Sequence, residues 1–219
     1  MQEYQKSKLN RVKRGQKRAV YDVEKINAIL DVGFIGFVSY TYEGKAISLP
    51  MAYGRKGNKI YLHSSQANRM LLSLLDAGEM SMTVMHLDAL VLARSGLHHS
   101  VNYRSATLFG SVKKIKEPKE KEAALHCFME HMMKGRWNDI RPMKPEELDR
   151  TLVVEMTVKT ASAKIRDVGV SDEPEDETLP IWAGLIPLKQ IALAPISDEK
   201  LQKNIKVPNH VIEYYNMHK

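Results

Sequence analysis

Cysteine is almost absent from this chain: Cys127 is the only one in 219 residues. That excludes an intramolecular disulfide and the usual multi-cysteine zinc sites. Other signatures are missing too. No apolar run approaches the roughly 20 residues that a membrane helix needs. The polar, basic N-terminus has no apolar h-region, so no secretory signal is read and a cytoplasmic location is expected. No glycine-rich nucleotide loop appears, and no G-x-S-x-G elbow marks a serine hydrolase. The histidines offer little for zinc. His63, His86, His98 and His99 include no pair at H-E-x-x-H spacing, and adjacent strand residues point to opposite faces. At most one of His98 and His99 therefore faces any given site, and no metal is expected.

What is present suits one domain with appendages and a sizeable core. The formal charge is +7, but it is unevenly placed. Lys6, Lys8, Arg11, Lys13, Arg14, Lys17 and Arg18 face only Glu3 among the first 19 residues. The rest of the chain is nearly neutral. Basicity thus belongs to a tail, expected to be solvated, and not to the fold. The acidic run from Asp172 to Glu177 is likewise expected to be a solvated loop.

Periodicity outlines the elements. Asp22 caps a short helix carrying Val23, Ile26, Ile29 and Leu30, which Gly33 ends. Strands are expected over 34–41, 46–53 and 59–65, with Pro50 confining the second to an edge or a bulge. A helix bearing Met70, Leu71, Leu74 and Leu75 stops at Gly78. Strands at 81–86, 89–92 and 104–115 follow, then a helix opened by Pro118 and a short one at 145–150. Strands at 151–158 and 162–168 close the set. The end is Pro-rich and irregular, with Trp182 expected to be anchored. Many short antiparallel strands in one domain favour a barrel.

Two stretches carry dense polar chemistry. Arg94–Gly110 packs two adjacent histidines, two arginines and three serines ahead of a β-prone run. Such groups are expensive to bury without partners. The second is His63-Ser64-Ser65, followed by Arg69 at a helix start. Free N–H groups, the helix dipole and a guanidinium converge there, which is the geometry of a phosphate site. Read blandly, Ser65 caps the helix and Arg69 is a surface residue.

The ordered motifs R-A-x-Y-D (18–22), I-G-F-V-S-Y (35–40), P-M-x-Y-G (50–54), I-Y-L-H-S-S (60–65), R-M-L (69–71), H-H-S-x-N-Y-R-S (98–105), F-G (109–110), G-R-W (135–137) and L-P-x-W-A-G (179–184) carry a resemblance. The chain resembles the pyridoxamine 5′-phosphate oxidase-like FMN-binding split barrels, in the flavin-nucleotide-binding branch akin to nitroimidazole reductases. The resemblance implies a mainly β fold with flanking helices, a six-stranded antiparallel Greek-key split β-barrel. It implies a homodimer with FMN at the interface. Residues 1–17 would be a basic tail, 18–190 the barrel domain and 191–219 a C-terminal extension. Pro50, Met51 and Ala52 would present backbone to the flavin ring, and His63, Ser64, Ser65 and Arg69 would surround the phosphate. Arg104, Ser105 and Trp182 would complete the cofactor set. Serine at 105 stands where the oxidases carry glutamine, and Met70 where they carry lysine. No counterpart of their C-terminal arginine motif is visible, so vitamin B6 oxidation is not expected.

The leading functional expectation is an FMN-dependent oxidoreductase that reduces a small organic substrate with NAD(P)H. His98 or His99, whichever points inward, is the candidate catalytic group. Two alternatives stay open. One is a haem-binding or haem-degrading split barrel, with a histidine on the iron. The other is a non-catalytic flavin-binding protein whose basic tail touches nucleic acid. Neither a membrane nor, in the leading reading, nucleic acid is an expected partner.

Overall fold

The computed structural model describes residues 2–219. In chain order its elements are β1 (Ala19–Val20), α1 (Val23–Val32), β2 (Ile35–Tyr42), β3 (Lys45–Ala52), β4 (Gly54–Lys56), β5 (Lys59–Ser65) and α2 (Arg69–Ala77). Then come β6 (Glu79–Leu92), β7 (Ser100–Ile115), α3 (Pro118–Met132), α4 (Pro145–Arg150), β8 (Thr151–Arg166), β9 (Gly184–Pro187) and α5 (Asn209–His218). Antiparallel ladders join the strands in the order β3-β2-β6-β7-β8-β5-β4, with β1 added to β8 and β9 to β6.

The two ends of that path, β3 and β4, are separated in sequence by Tyr53 alone. The sheet is therefore curled until its edges meet at one corner, while no ladder joins β3 to β4. This is the expected split barrel. Tyr53 anchors the corner: its N–H donates to the Phe34 carbonyl at 2.9 Å, and its hydroxyl to the Leu30 carbonyl at 2.6 Å. Burial pushes that hydroxyl's pKa far up, with the nearby Asp31 charge adding to the effect.

Strand alternation fills the barrel. Val38, Leu62, Met82, Leu108 and Met156 are fully buried, with Ile26, Ile29 and Leu30 of α1 packed among them. Asp22 caps α1 by accepting from the Lys25 N–H at 2.8 Å, as its position predicts. α3 lies on β4 and β5. Gly54 permits this, since a Cβ there would sit 2.5 Å from the Phe128 Cα.

Several strands run longer than their patterns predict. β6 is continuous through a bulge between Leu87 and Ala89, where two separate strands are expected. β8 likewise runs unbroken from Thr151 to Arg166, with a register shift opposite Phe109/Gly110. A bulge resets the period-2 alternation and hides continuity from a sequence reading. β7 begins at Ser100, so Asn102 and Tyr103 are strand residues and not loop. β1, β4, β9 and α5 have no clear sequence signal.

The basic N-terminal segment is not a free tail. Asn10 is 2% exposed and donates to Thr160 Oγ1 at 2.6 Å and to the Ala161 carbonyl at 3.1 Å. The Val12 N–H donates to the Tyr21 hydroxyl at 2.9 Å. Polar side chains pin the segment along β8 while most of its cations point outward. Met1 lies outside the described residues. The acidic run also departs from expectation: the Asp172 side chain is only 1% exposed.

Candidate functional site

Outward-facing side chains on β3-β2-β6-β7 form rows that the registers define. Pro50, Phe37, Thr83 and Thr107 make one row; beyond it Ala52 pairs with Ile35, and Met85 with Ser105. Phe37 and Met85 are 48% and 53% exposed. This outer face is thus an apolar strip with small hydroxyl groups, Thr83 and Thr107 bonding each other at 3.0 Å. Contiguous apolar surface of this kind marks a binding or association face.

At the β3 edge of the strip lies an open cleft of about 440 Å³, lined by Tyr40, Leu49, Pro50, Met51, Asn68 and Arg69 among others. The Arg69 guanidinium sits over the Tyr42 ring, 4.4 Å from its centroid, and Nη2 donates to the Tyr40 hydroxyl at 3.5 Å. The bond to Tyr40 pushes the arginine's pKa further up. Among the described residues it has no carboxylate partner. Asn68, not Ser65, caps α2, its Oδ1 accepting from the Leu71 N–H at 2.9 Å. Asn68 Nδ2 donates to Ser64 Oγ at 3.0 Å, tying the end of β5 to the helix start. β3 pairs only with β2, so its other backbone edge is free. A free strand edge, a helix N-terminus and an unpaired guanidinium suit a planar ring with an anionic arm. A second cleft of about 510 Å³ shares Tyr40 with the first and presents Ser39, Ser73, Ser81 and Ser111.

The structure brings Pro50, Met51 and Arg69 together, with Ser64 one hydrogen bond away. Pro50 and Ala52 face outward, whereas Met51 packs towards the core. The other candidates stand elsewhere. His63 points to α3, its ring edge-on to Phe128 at 4.4 Å, with Nδ1 buried and unpartnered among the described residues. Burial holds its imidazole below the ordinary histidine value. Ser65 is exposed at the end of β5. Arg104 is clasped by Asp88, with Nη2–Oδ1 at 2.7 Å and Nε–Oδ2 at 3.0 Å. Ser105 lies on the outer face beside Met85.

His98 and His99 occupy the loop between β6 and β7, at the far end of that hairpin. There the Arg94 backbone N–H donates to Asp172 Oδ1 at 3.0 Å and its Nη1 to Oδ2 at 2.8 Å. Burial alone would push the Asp172 carboxyl up, but these bonds outweigh it and hold it below its usual value. His98 Nε2 lies 3.5 Å from Glu173 Oε1. His99 Nδ1 lies 2.8 Å from the Ser95 carbonyl. A carbonyl only accepts, so Nδ1 carries the proton, and a neutral His99 presents an Nε2 lone pair outward. Leu97, in the same loop, is exposed, and Trp182 is 66% exposed, its indole against Gly184 rather than anchored in a core.

Sequence reasoning missed Asn68, Tyr40 and Tyr42. Asn68 carried a signal, being a capping residue type directly before the apolar helix pattern. The two tyrosines carried none, because only the β2–α2 packing brings them under Arg69. Among the described residues, no helix is long and apolar enough to cross a membrane. No group of three His, Cys, Asp or Glu side chains among them could hold a metal ion.

Comparison with known proteins identifies the family. The sequence profile described as pyridoxamine 5′-phosphate oxidase matches residues 22–165. The chain belongs to that family. It is similar to the flavocytochrome Anf3 from Azotobacter vinelandii, at 31% identity, with 95% of this chain and 97% of that one covered and a TM-score of 0.90. The FAD and heme binding protein from Mycobacterium smegmatis is 27% identical, with 90% and 97% covered and a TM-score of 0.86. A search of curated proteins found no match. Both structural similarities extend well beyond the segment that the family profile matches.

Proposed function

We propose that this protein is a flavin-dependent oxidoreductase that works as a homodimer. The carrying observation is the Arg69 guanidinium, braced by Tyr40 and Tyr42, beside the free edge of β3 and the N-terminus of α2. The residues fit a flavin: Arg69 and the α2 N–H groups would hold its phosphate, and the Pro50–Ala52 backbone would hold its ring. FMN is the flavin that the sequence resemblance implies; the mycobacterial neighbour's FAD makes the dinucleotide the competing choice. When bound, the flavin supplies hydride and electron transfer, and NAD(P)H is the proposed donor. The chain's own part is to hold the phosphate, fix the ring and exclude water. A second copy covering the apolar strip of Ile35, Phe37 and Met85 supplies the exclusion.

A second reading, that the protein also holds haem, is favoured by His99. The Ser95 carbonyl fixes its tautomer and aims Nε2 outward, the orientation that partners of metal-bound histidines enforce. Leu97 and Val101, two residues to either side of it, are exposed, suiting an apolar macrocycle. The neighbour named as a flavocytochrome and the one named as a FAD and heme binding protein match 95% and 90% of this chain.

Fluorescence titration of the purified protein with FMN and FAD tests the first reading. Binding weakened at least tenfold by Arg69→Ala, at unchanged melting temperature, supports it; undiminished binding refutes it. Haem titration tests the second: a Soret band lost in His99→Ala and kept in His98→Ala supports His99 as the ligand, and a band kept in both refutes it.

A further inference from the structure

The geometry points to a second anion site on the opposite side of the outer face, where Arg18, Lys164 and Arg166 take a phosphoryl group of high charge. Arg166 closes β8 opposite Tyr103, and Lys164 lies opposite Ser105, in the row that runs on to Met85. Arg166 is 6% exposed, and none of its nitrogens meets a carboxylate among the described residues. Its guanidinium donates to Asn102 Oδ1 at 2.5 Å and to the carbonyls of Val168 and Gly169 at 3.3 and 3.5 Å. All three acceptors are neutral, and Nε is buried with no partner among the described residues.

A buried cation without a counter-charge is an expensive arrangement. Here two more cations adjoin it: Lys164 lies two residues before it on the same strand, and Arg18 and Lys164 both flank Gly15. Desolvation first, and Arg18 second, depress the Arg166 pKa. Neither Arg18 nor Lys164 has a carboxylate partner among the described residues. Gly15 borders both cations. It takes a left-handed φ of 71°, and a Cβ there would be in contact with each, 3.7 Å from Lys164 Nζ and 3.9 Å from Arg18 Cδ.

Three convergent cations, two of them planar guanidiniums, exceed what one carboxylate neutralises. They match the charge and bidentate geometry of a phosphate ester or diphosphate. The site is separate from Arg69, which stands at the β3 end of the strand order. It does not rest on the flavin reading. Its natural occupant is the diphosphate of a nicotinamide dinucleotide, because the phosphate of a flavin is the one assigned to Arg69.

Calorimetric titration of the full chain with inorganic pyrophosphate at low ionic strength tests this. Arg18 is exposed and Lys164 half-buried, so the Arg18→Ala/Lys164→Ala variant should fold normally. Expected are a pyrophosphate site weakened at least tenfold in that variant, retention of the site in Arg69→Ala, and weaker binding of succinate than of pyrophosphate to the parent. Arg166→Gln, which keeps a donor to the neutral acceptors, should lose the same site. Pyrophosphate binding unchanged in the double variant, or no tighter than succinate, overturns the inference. If pyrophosphate binding is lost only in Arg69→Ala, the node fails and the flavin reading stands. FAD and NADPH titrations test the occupant: NADPH affinity lost in the double variant with FAD affinity kept supports it, and NADPH affinity kept, or loss of FAD affinity instead, overturns it. Pyrophosphate bound at the node by a protein that binds no flavin would refute the flavin reading alone.

Discussion

Replacing Gly54 with alanine tests how α3 is seated on the barrel. The new Cβ would fall 2.5 Å from the Phe128 Cα and 2.8 Å from its N. Carbon atoms pack at roughly 3.5–4.0 Å, so α3 must retreat by about 1 Å or more. Both contacts are backbone, and no rotamer change relieves them. Overpacking of this kind costs about 1–3 kcal/mol, and the absence of any flexible neighbour places Gly54→Ala at the upper end. Relief of the glycine's entropy cost returns about 0.5–1 kcal/mol, for a net loss of about 2 kcal/mol. At about 2–4 °C per kcal/mol for a chain of this size, the melting temperature should fall by about 4–8 °C. The same retreat lifts Phe128 off the His63 ring and lets water reach it, so the His63 pKa should rise towards its ordinary value. Calorimetry and an NMR titration of the histidine Cε1 proton measure the two effects. An unchanged melting temperature with an unshifted His63 would refute the close approach.

Other outcomes follow from the same contacts. His63 is held neutral by burial, so the unfolded chain binds the extra proton; stability should be intact above pH ~6.5 and fall as the pH drops towards the depressed folded value. Denaturant midpoints between pH 7.5 and 5 should show that slope in the parent and a flatter one in His63→Leu. Asn68→Ala should cost about 1 kcal/mol as a lost helix cap, read as a melting temperature lower by about 2–4 °C, with a smaller loss of flavin affinity than Arg69→Ala causes. Phe37→Glu puts a charge in the middle of the outer strip; light scattering should find a monomer that no longer retains flavin, and a dimeric variant would refute that face as the interface.

The barrel was legible because its signals are local. The Asp22 cap, the Gly78 stop, the Pro50 edge strand and the apolar spacing of α1 and α2 are each set by neighbours in sequence. Strand lengths were not, since bulges at Leu87/Ala89 and opposite Phe109/Gly110 interrupt the alternation that a reader follows. The site was half legible. Arg69 and Pro50 could be named from residue type and position, but the tyrosines beneath Arg69 come from β2. His63 misled because strand parity decides its face: Leu62 and Ser64 share one side of β5, while His63 turns to α3. Asp172 misled for the opposite reason. A charge in an acidic run reads as solvated, and only the fold supplies the Arg94 that binds it.

Tyr53 also governs how the barrel comes into being. β3 and β4 leave it in opposite directions around the sheet, so neither edge is placed until the strands between them are paired. β2 and β3 pair at once as a hairpin, but the β4–β5 hairpin waits for β8, with Lys59 meeting Thr157 and Ser65 meeting Thr151. A loop of nearly a hundred residues must close before the corner is fixed. Such high contact order makes folding slow, on the order of milliseconds to seconds. During synthesis the N-terminal half cannot complete its own structure and emerges with the β8-facing edge of β5 unpaired. The interval before residue 166 is made is when this chain is exposed to edge-to-edge aggregation. Substitutions in β8 should slow folding, whereas those at the Tyr53 corner should speed unfolding.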